Sequence, residues 1–150
     1  MKKQIWFDMD GTLGNLYAIP DWLDRLRAED PSPYAEAAVL HNMSQLARKL
    51  NQLQKAGWQL GIVSWLSKVS SAAYDEAVTA AKLSWLDNHL HSVHFDIIHI
   101  VAYGRNKWEL CGKDGILFDD EEKNRTAWAN GYAYHPDNMM KILDELLRES

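Results

Sequence analysis

The sequence predicts an α/β fold in which helices flank a parallel sheet. Short apolar runs of strand length alternate along the 150-residue chain with segments that have helical periodicity. This alternation is typical of βαβ units and therefore of a parallel sheet. No internal repeat and no long linker divides the chain, and its length suits one compact domain. We therefore expect residues 1–150 to form a single domain.

The individual elements follow from the spacing of the apolar residues. The strands are predicted where short apolar runs are bounded by polar residues, namely at residues 5–7, 58–64, 95–101, 115–118 and 132–134. Helices are predicted where apolar residues recur at helical spacing: residues 21–28, 34–40, 43–55, 72–81 with a short continuation over 83–86, and 139–147. Pro20 suits the start of the first helix, and Gly57 suits the C-cap of the third.

Composition and charge restrict the classes of function. Sixteen Lys and Arg stand against 21 Asp and Glu, so the net charge of −5 does not favour tight binding to duplex DNA or to an anionic membrane. No apolar segment reaches the roughly 18 residues of a membrane span. The single cysteine, Cys111, excludes an internal disulfide and indicates a reducing compartment. We expect a cytoplasmic protein with no membrane partner, and the sequence defines no oligomeric state.

Polar residues follow four of the predicted strands, at the end where a parallel sheet gathers its functional groups. They are Asp8 and Asp10 after the first strand, Ser64 at the end of the second, Lys107 after the third, and Asp119 and Asp120 after the fourth. Side chains two apart in an extended segment point the same way, so Asp8 and Asp10 should face one cleft. Carboxylates this close repel each other unless they are protonated or bind a hard cation, and oxygen ligands suit Mg²⁺. We expect a magnesium site formed by Asp8, Asp10, Asp119 and Asp120.

Four further residues are expected to contribute to substrate binding: Gly11, Thr12, Trp22 and Trp65. Gly11 permits the sharp exit of the chain from the first strand, and the Thr12 hydroxyl can hold the following loop by a hydrogen bond. Trp22 and Trp65 suit either packing or the wall of a substrate pocket, and both alternatives stay open.

The segments FDMDGTL, GIVS and GILFDD resemble, in this order, motifs of the haloacid dehalogenase (HAD) superfamily of phosphohydrolases. Lys107 stands where the lysine of the third motif is expected, and the resemblance covers about the whole chain. It implies a Rossmann-like three-layer domain with a parallel central sheet. It also implies a small helical cap, here an insert of about residues 16–41.

The resemblance implies a role for each motif residue. Asp8 is the nucleophile that forms an aspartyl-phosphate, and Asp10 is the general acid and then the base, its backbone carbonyl also reaching Mg²⁺. Ser64 hydrogen-bonds the phosphoryl oxygens, and Lys107 neutralises their charge. Lys113 and Lys68 are the alternatives for this lysine. In the fourth motif Asp120 aligns better than Asp119 with the metal-binding acid, and Asn124 replaces a second acid that many members have.

The implied activity is Mg²⁺-dependent hydrolysis of a small phosphorylated substrate. The paired acids and the short chain are similar to deoxyribonucleotidase-type and small phage or bacterial members, so a nucleoside monophosphate is the first substrate expectation. A phosphatase acting on polynucleotide ends is the less favoured alternative. A catalytically idle binding module on the same fold is the other alternative. A phosphoacceptor receiver domain is disfavoured, because its motifs come in the opposite order. In such a domain the acid pair ends the first strand and the lysine comes last, whereas here Lys107 precedes the acid pair of Asp119 and Asp120.

Overall fold

Five parallel strands form the central sheet of the computed structural model, which describes residues 3–68, 70–111 and 114–150. In chain order the strands are β1 (Gln4–Phe7), β2 (Gly14–Asn15), β3 (Ala38–Val39), β4 (Gln59–Trp65), β5 (Ile97–Val101), β6 (Gly115–Phe118) and β7 (Gly131–Tyr134). The order across the main sheet is β5-β4-β1-β6-β7, with every neighbouring pair parallel. The α/β class and the five expected strands are thereby confirmed. The pair β2 and β3 forms a separate antiparallel ribbon that was not predicted.

Helices cover both faces of the sheet. In chain order they are α1 (Trp22–Arg27), α2 (Ser32–Glu36), α3 (Met43–Lys55), α4 (Ala72–His89), α5 (Lys107–Leu110), α6 (Glu122–Ala127) and α7 (Met139–Glu149). Within the ranges that the structure describes, no helix combines the length and the apolar character needed to cross a membrane.

The central strand β1 separates two apolar layers. Ile5 and Phe7 belong to the larger core, which α3, α7 and the end of α4 complete. Trp6 points to the opposite face and packs with Leu117 and Trp128. This alternation is the period of two that a strand buried on both faces must have, and it produces the three-layer arrangement.

The predicted helix over residues 34–40 is wrong in its bounds. The helix α2 runs from Ser32 to Glu36 and is followed by β3. Proline is compatible with the first turn of a helix, so Pro33 does not exclude the earlier start. The chain is extended at Ala37, whose carbonyl accepts a buried hydrogen bond of 2.7 Å from the Trp85 indole. A tertiary contact therefore ends the helix earlier than its local sequence predicts.

The predicted helices over residues 72–81 and 83–86 form one continuous helix, α4. Ser71 caps it, because its hydroxyl accepts a hydrogen bond from the backbone N–H of Tyr74 at 3.1 Å. The first turns of α4 pack Tyr74 and Val78 against Tyr34 and Leu16. The segment of residues 16–41 is thus attached to the core through α2 and α4.

Candidate active site

The carboxyl ends of β1 and β6 bring two of the predicted acids together. The backbone N–H of Asp8 donates to the carbonyl of Phe118 at 2.9 Å, which holds the end of β1 against β6. Asp119 follows Phe118 directly and is completely buried. The two carboxylates therefore lie side by side at the base of a cleft, as expected for residues that follow adjacent parallel strands.

Lys107 lies between these two carboxylates. Its ammonium donates to Asp8 Oδ1 at 3.0 Å and to Asp119 Oδ2 at 2.7 Å, and it lies 5.2 Å from the centre of the Trp65 ring. Burial opposes the charge of the ammonium, but the two carboxylates outweigh it and raise the pKa of Lys107. The lysine is therefore a fixed cation at neutral pH.

The two alternatives for this lysine differ in placement. Lys68 is exposed at the edge of the cleft and is one of its lining residues. Lys113 lies outside the described residues.

Asp119 and Asp120 have different surroundings. Asp119 Oδ1 accepts from the backbone N–H of Glu121 at 3.0 Å, and Asp119 Oδ2 accepts from Asn124 at 3.1 Å as well as from Lys107. Asp120 Oδ1 is buried and has no hydrogen-bond partner among the described residues. Buried polar atoms are rarely left without a partner, so this oxygen is an available ligand atom.

The acids also perturb each other electrostatically. Burial, reinforced by the charge of Asp8, raises the pKa of Asp119 to about 6 and that of Asp120 to about 8. One carboxylate oxygen from each of Asp8, Asp119 and Asp120 lies within 4.8 Å of the others. Three hard oxygen ligands with unfavourable mutual repulsion fit a divalent cation such as Mg²⁺.

The loop after β1 is shaped by Gly11 and Thr12. Gly11 has φ +81°, and a Cβ built there would lie 2.2 Å from Asp120 Oδ2, so a side chain at this position would displace the carboxylate. The buried Thr12 hydroxyl donates to Asp8 Oδ2 at 3.2 Å and accepts from the backbone N–H of Asp120 at 3.2 Å. Gly11 therefore leaves room for the Asp120 carboxylate and Thr12 holds the Asp8 carboxylate, but neither residue, although both were expected to bind substrate, lines the cleft.

Asp10 and Ser64 share a partner that the sequence did not reveal. The Lys82 ammonium donates to Asp10 Oδ2 at 3.0 Å, to Ser64 Oγ at 2.7 Å and to the carbonyl of Trp65 at 2.8 Å. Asp10 lines the cleft, whereas Ser64 is completely buried and does not. Burial, partly offset by Lys82, raises the pKa of Asp10.

A pattern in α4 could have revealed Lys82. The residue lies four positions after Val78 and eight after Tyr74, and both of these residues are buried. Residues at this spacing share one face of a helix, so Lys82 lies on the inward face. A lysine on such a face must find a partner for its charge.

Aromatic side chains line the cleft together with the acids. The cleft has a volume of about 250 Å³. The rings of Tyr17 and Trp22 meet edge to face at 5.1 Å, and the rings of Trp65 and Tyr103 lie 4.9 Å apart. Both predicted tryptophans are therefore at the cleft, and the Trp65 indole is fixed by a hydrogen bond of 2.9 Å to the carbonyl of Arg105.

The structure is an α/β protein with a parallel sheet and a cluster of carboxylates after β1 and β6, and its likeness to solved structures shows that the fold is HAD-like. No family model matches the sequence, and no curated protein matches it. Among solved structures, a protein from Mesorhizobium loti described as a HAD-like phosphatase superposes with a TM-score of 0.58 at 14% identity. The match covers 98% of this chain and 85% of that one.

Two D,D-heptose 1,7-bisphosphate phosphatases have similar structures. The protein from B. bronchiseptica, solved with magnesium and phosphate, superposes with a TM-score of 0.57 at 12% identity over 99% of both chains. The protein from Burkholderia thailandensis superposes with a TM-score of 0.51 at 16% identity, over 87% of this chain and 75% of that one. At these identities the likeness concerns the fold, and it confirms the fold that the sequence motifs implied.

Proposed function

We propose that the protein is a Mg²⁺-dependent phosphomonoesterase that acts through an aspartyl-phosphate on Asp8. The observation that carries this proposal is the placement of the Asp8 carboxylate at the cleft, hydrogen-bonded to Lys107 and Thr12 and clustered with the carboxylates of Asp119 and Asp120. A nucleophilic carboxylate needs this combination of orientation and positive charge to approach a phosphate dianion. The likeness to structures of HAD phosphatases supports the same activity.

The metal would be held by Asp8, Asp120 and the backbone carbonyl of Asp10, with Asp119 as a further acid beside it. When bound, the cation neutralises the charge of the phosphoryl group. The donor set supports this assignment, because three carboxylates of one cluster supply hard oxygen atoms, and Asp120 Oδ1 has no hydrogen-bond partner in the part of the chain that the structure describes.

The chain's own residues divide the reaction into two steps. Asp8 attacks phosphorus, the bond from phosphorus to the leaving oxygen breaks, and Asp10 gives its proton to the departing alkoxide. Asp10 then takes a proton from water, which attacks the aspartyl-phosphate, releases phosphate and restores the Asp8 carboxylate. Lys107 remains protonated and offsets the charge on the phosphoryl oxygens.

Our first proposed substrate is a nucleoside monophosphate. Two pairs of aromatic rings line the cleft, Tyr17 with Trp22 and Trp65 with Tyr103, and such surfaces suit a flat nucleobase. The segment of residues 16–41 would act as the cap that selects the substrate. A phosphorylated polynucleotide end is the second candidate, since the same surfaces can stack on a terminal base. The single cysteine supports a cytoplasmic location.

The test is a screen for phosphate release with Mg²⁺. The substrates are nucleoside monophosphates, 5′- and 3′-phosphorylated oligonucleotides, a heptose bisphosphate and p-nitrophenyl phosphate. We expect hydrolysis that chelation abolishes, with a nucleoside monophosphate preferred. Preference for an oligonucleotide end would favour the second substrate class. Absence of phosphate release from every substrate by the folded, Mg²⁺-loaded protein would leave the idle binding module as the better explanation.

A further inference from the structure

Lys82, which belongs to none of the four motifs, forms a second charged cluster at the border of the site. It is 1% exposed, and its ammonium has three acceptors: Asp10 Oδ2, Ser64 Oγ and the carbonyl of Trp65. An ammonium has three N–H donors, so its hydrogen-bonding capacity is filled. Lys82 also lies 5.1 Å from the centre of the Tyr34 ring, which belongs to α2 and lines the cleft.

These contacts restrict which oxygen of Asp10 can exchange a proton in the proposed reaction. Oδ2 of Asp10 is occupied by Lys82, so Oδ1 is the oxygen left to exchange a proton in the cleft. The Ser64 oxygen accepts from Lys82, and its own hydrogen must therefore point elsewhere. One ammonium thus sets the orientation of two polar groups, although it does not line the cleft itself.

The burial of this charge is also informative. Taking an ammonium out of water is costly, and an apolar side chain of similar volume often replaces a buried ion pair without loss of stability. Lys82 lies in a row with Tyr74 and Val78, where such a side chain would extend an apolar face. Packing alone does not require a lysine at this position.

We infer that Lys82 is a positioning residue for the proposed hydrolysis: it orients the Asp10 carboxylate for proton transfer to the leaving group. This inference rests on the proposed function. It predicts that the effect of removing Lys82 depends on the leaving group of the substrate, because only a poor leaving group needs the proton from Asp10. The nitrophenolate ion departs unprotonated, whereas the alkoxide of glycerol does not.

The test compares kcat/KM of Lys82→Met for glycerol phosphate and p-nitrophenyl phosphate. We expect the variant to lose at least about tenfold more activity on glycerol phosphate than on p-nitrophenyl phosphate, since proton transfer by a positioned acid is worth about 10²–10⁴-fold. A loss of packing would lower kcat/KM for both substrates by the same factor and leave their ratio unchanged. Lys49→Met is the matched control, because Lys49 forms an ion pair with Asp144 away from the cleft. We expect it to keep the wild-type ratio.

An unchanged ratio in folded Lys82→Met would overturn the inference, as would an equal change in Lys49→Met. If Lys82→Met melts below the assay temperature, Lys82→Gln is measured in the same way and its ratio decides. Failure of the proposed function is distinguishable, because it appears as inactivity of the wild-type protein on both substrates. That result would remove the inference together with the function on which it rests.

Discussion

The chemistry proposed for Asp8 depends on groups that its neighbours in sequence do not supply. Lys107 is 99 positions away in the chain and donates to one carboxylate oxygen, while the Thr12 hydroxyl donates to the other. Two donors fix the plane of the carboxylate, and one of them carries a full positive charge. The carboxylate proposed as the nucleophile is therefore oriented before any substrate binds.

Asp8→Asn should abolish phosphate release, with a loss of at least about a thousandfold, because the amide is nearly isosteric and a far weaker nucleophile. Phosphate release is measured at saturating Mg²⁺, and the melting temperature is recorded alongside it. Asp144→Asn, which removes a carboxylate from the α3–α7 contact, serves as the matched control and should retain activity. Turnover by Asp8→Asn within tenfold of wild type would exclude Asp8 as the nucleophile.

The two acids after β6 should differ in their contribution to metal binding. Asp119 has Lys107, Asn124 and a backbone N–H as partners, whereas Asp120 Oδ1 has none among the described residues. We expect Asp120→Asn to weaken Mg²⁺ binding more than Asp119→Asn, as measured by calorimetry. The reverse order would make Asp119 the main ligand and would shift the fourth-motif alignment by one residue.

At the scale of elements, α1 and α2 are held differently. Tyr34 of α2 is buried against Tyr74 and Val78 of α4, whereas α1 contains no buried residue. Trp22, the first residue of α1, is half-buried and lines the cleft. This difference makes α1 the part of residues 16–41 that can change with little effect on the core.

Trp22→Ala should therefore lower kcat/KM for a nucleoside monophosphate by at least about tenfold more than for p-nitrophenyl phosphate, since it removes a stacking surface. The melting temperature should change little. Trp58→Ala is the matched control for this ratio, because Trp58 is also half-buried but precedes β4, at the end of the sheet away from the cleft. Equal losses on both substrates, or a large fall in melting temperature, would show that Trp22 is structural and would remove the main support for a nucleotide substrate.

At the scale of the whole molecule, the raised pKa values of the acid cluster tie stability to pH, and the proposed cation should add a dependence on metal. Asp119 and Asp120 have pKa values of about 6 and 8 in the folded protein, above the ordinary value of 3.8. Between pH 3.8 and about 8, the folded state therefore binds more protons at these two carboxylates than the unfolded state does. The free energy of unfolding of the metal-free protein must therefore fall as the pH rises through this interval.

We expect the melting temperature in a chelator to fall by at least about 3 °C from pH 5.5 to pH 8. Mg²⁺ should raise the melting temperature more at pH 8 than at pH 5.5, because it binds the ionised carboxylates. Asp120→Asn removes one of the repelling charges, so its melting temperature in a chelator should depend less on pH. A metal-free protein that is equally stable at both pH values would contradict the assigned repulsion.

Local sequence patterns were sufficient to predict the class of fold and most of the cluster of acids. Apolar runs such as residues 5–7 and 115–118 are strands because their side chains are buried on both faces, and the ends of parallel strands meet at one edge. Asp8, Asp119 and Asp120 could therefore be placed together from local patterns alone. The assignment of Lys107 to this site depended on the family resemblance as well, since a lysine after a strand is most often exposed.

The contacts between distant segments could not be predicted in this way, because they depend on how the elements pack. Lys82 lies 72 positions from Asp10, and the Trp85 indole that ends α2 early lies 48 positions from the carbonyl of Ala37. The burial of Ser64 behind Lys82 has the same origin. Local periodicity reports which face of an element is apolar, but the partner of a buried polar group depends on how the elements pack. Packing therefore determines where these charges and hydrogen bonds are satisfied.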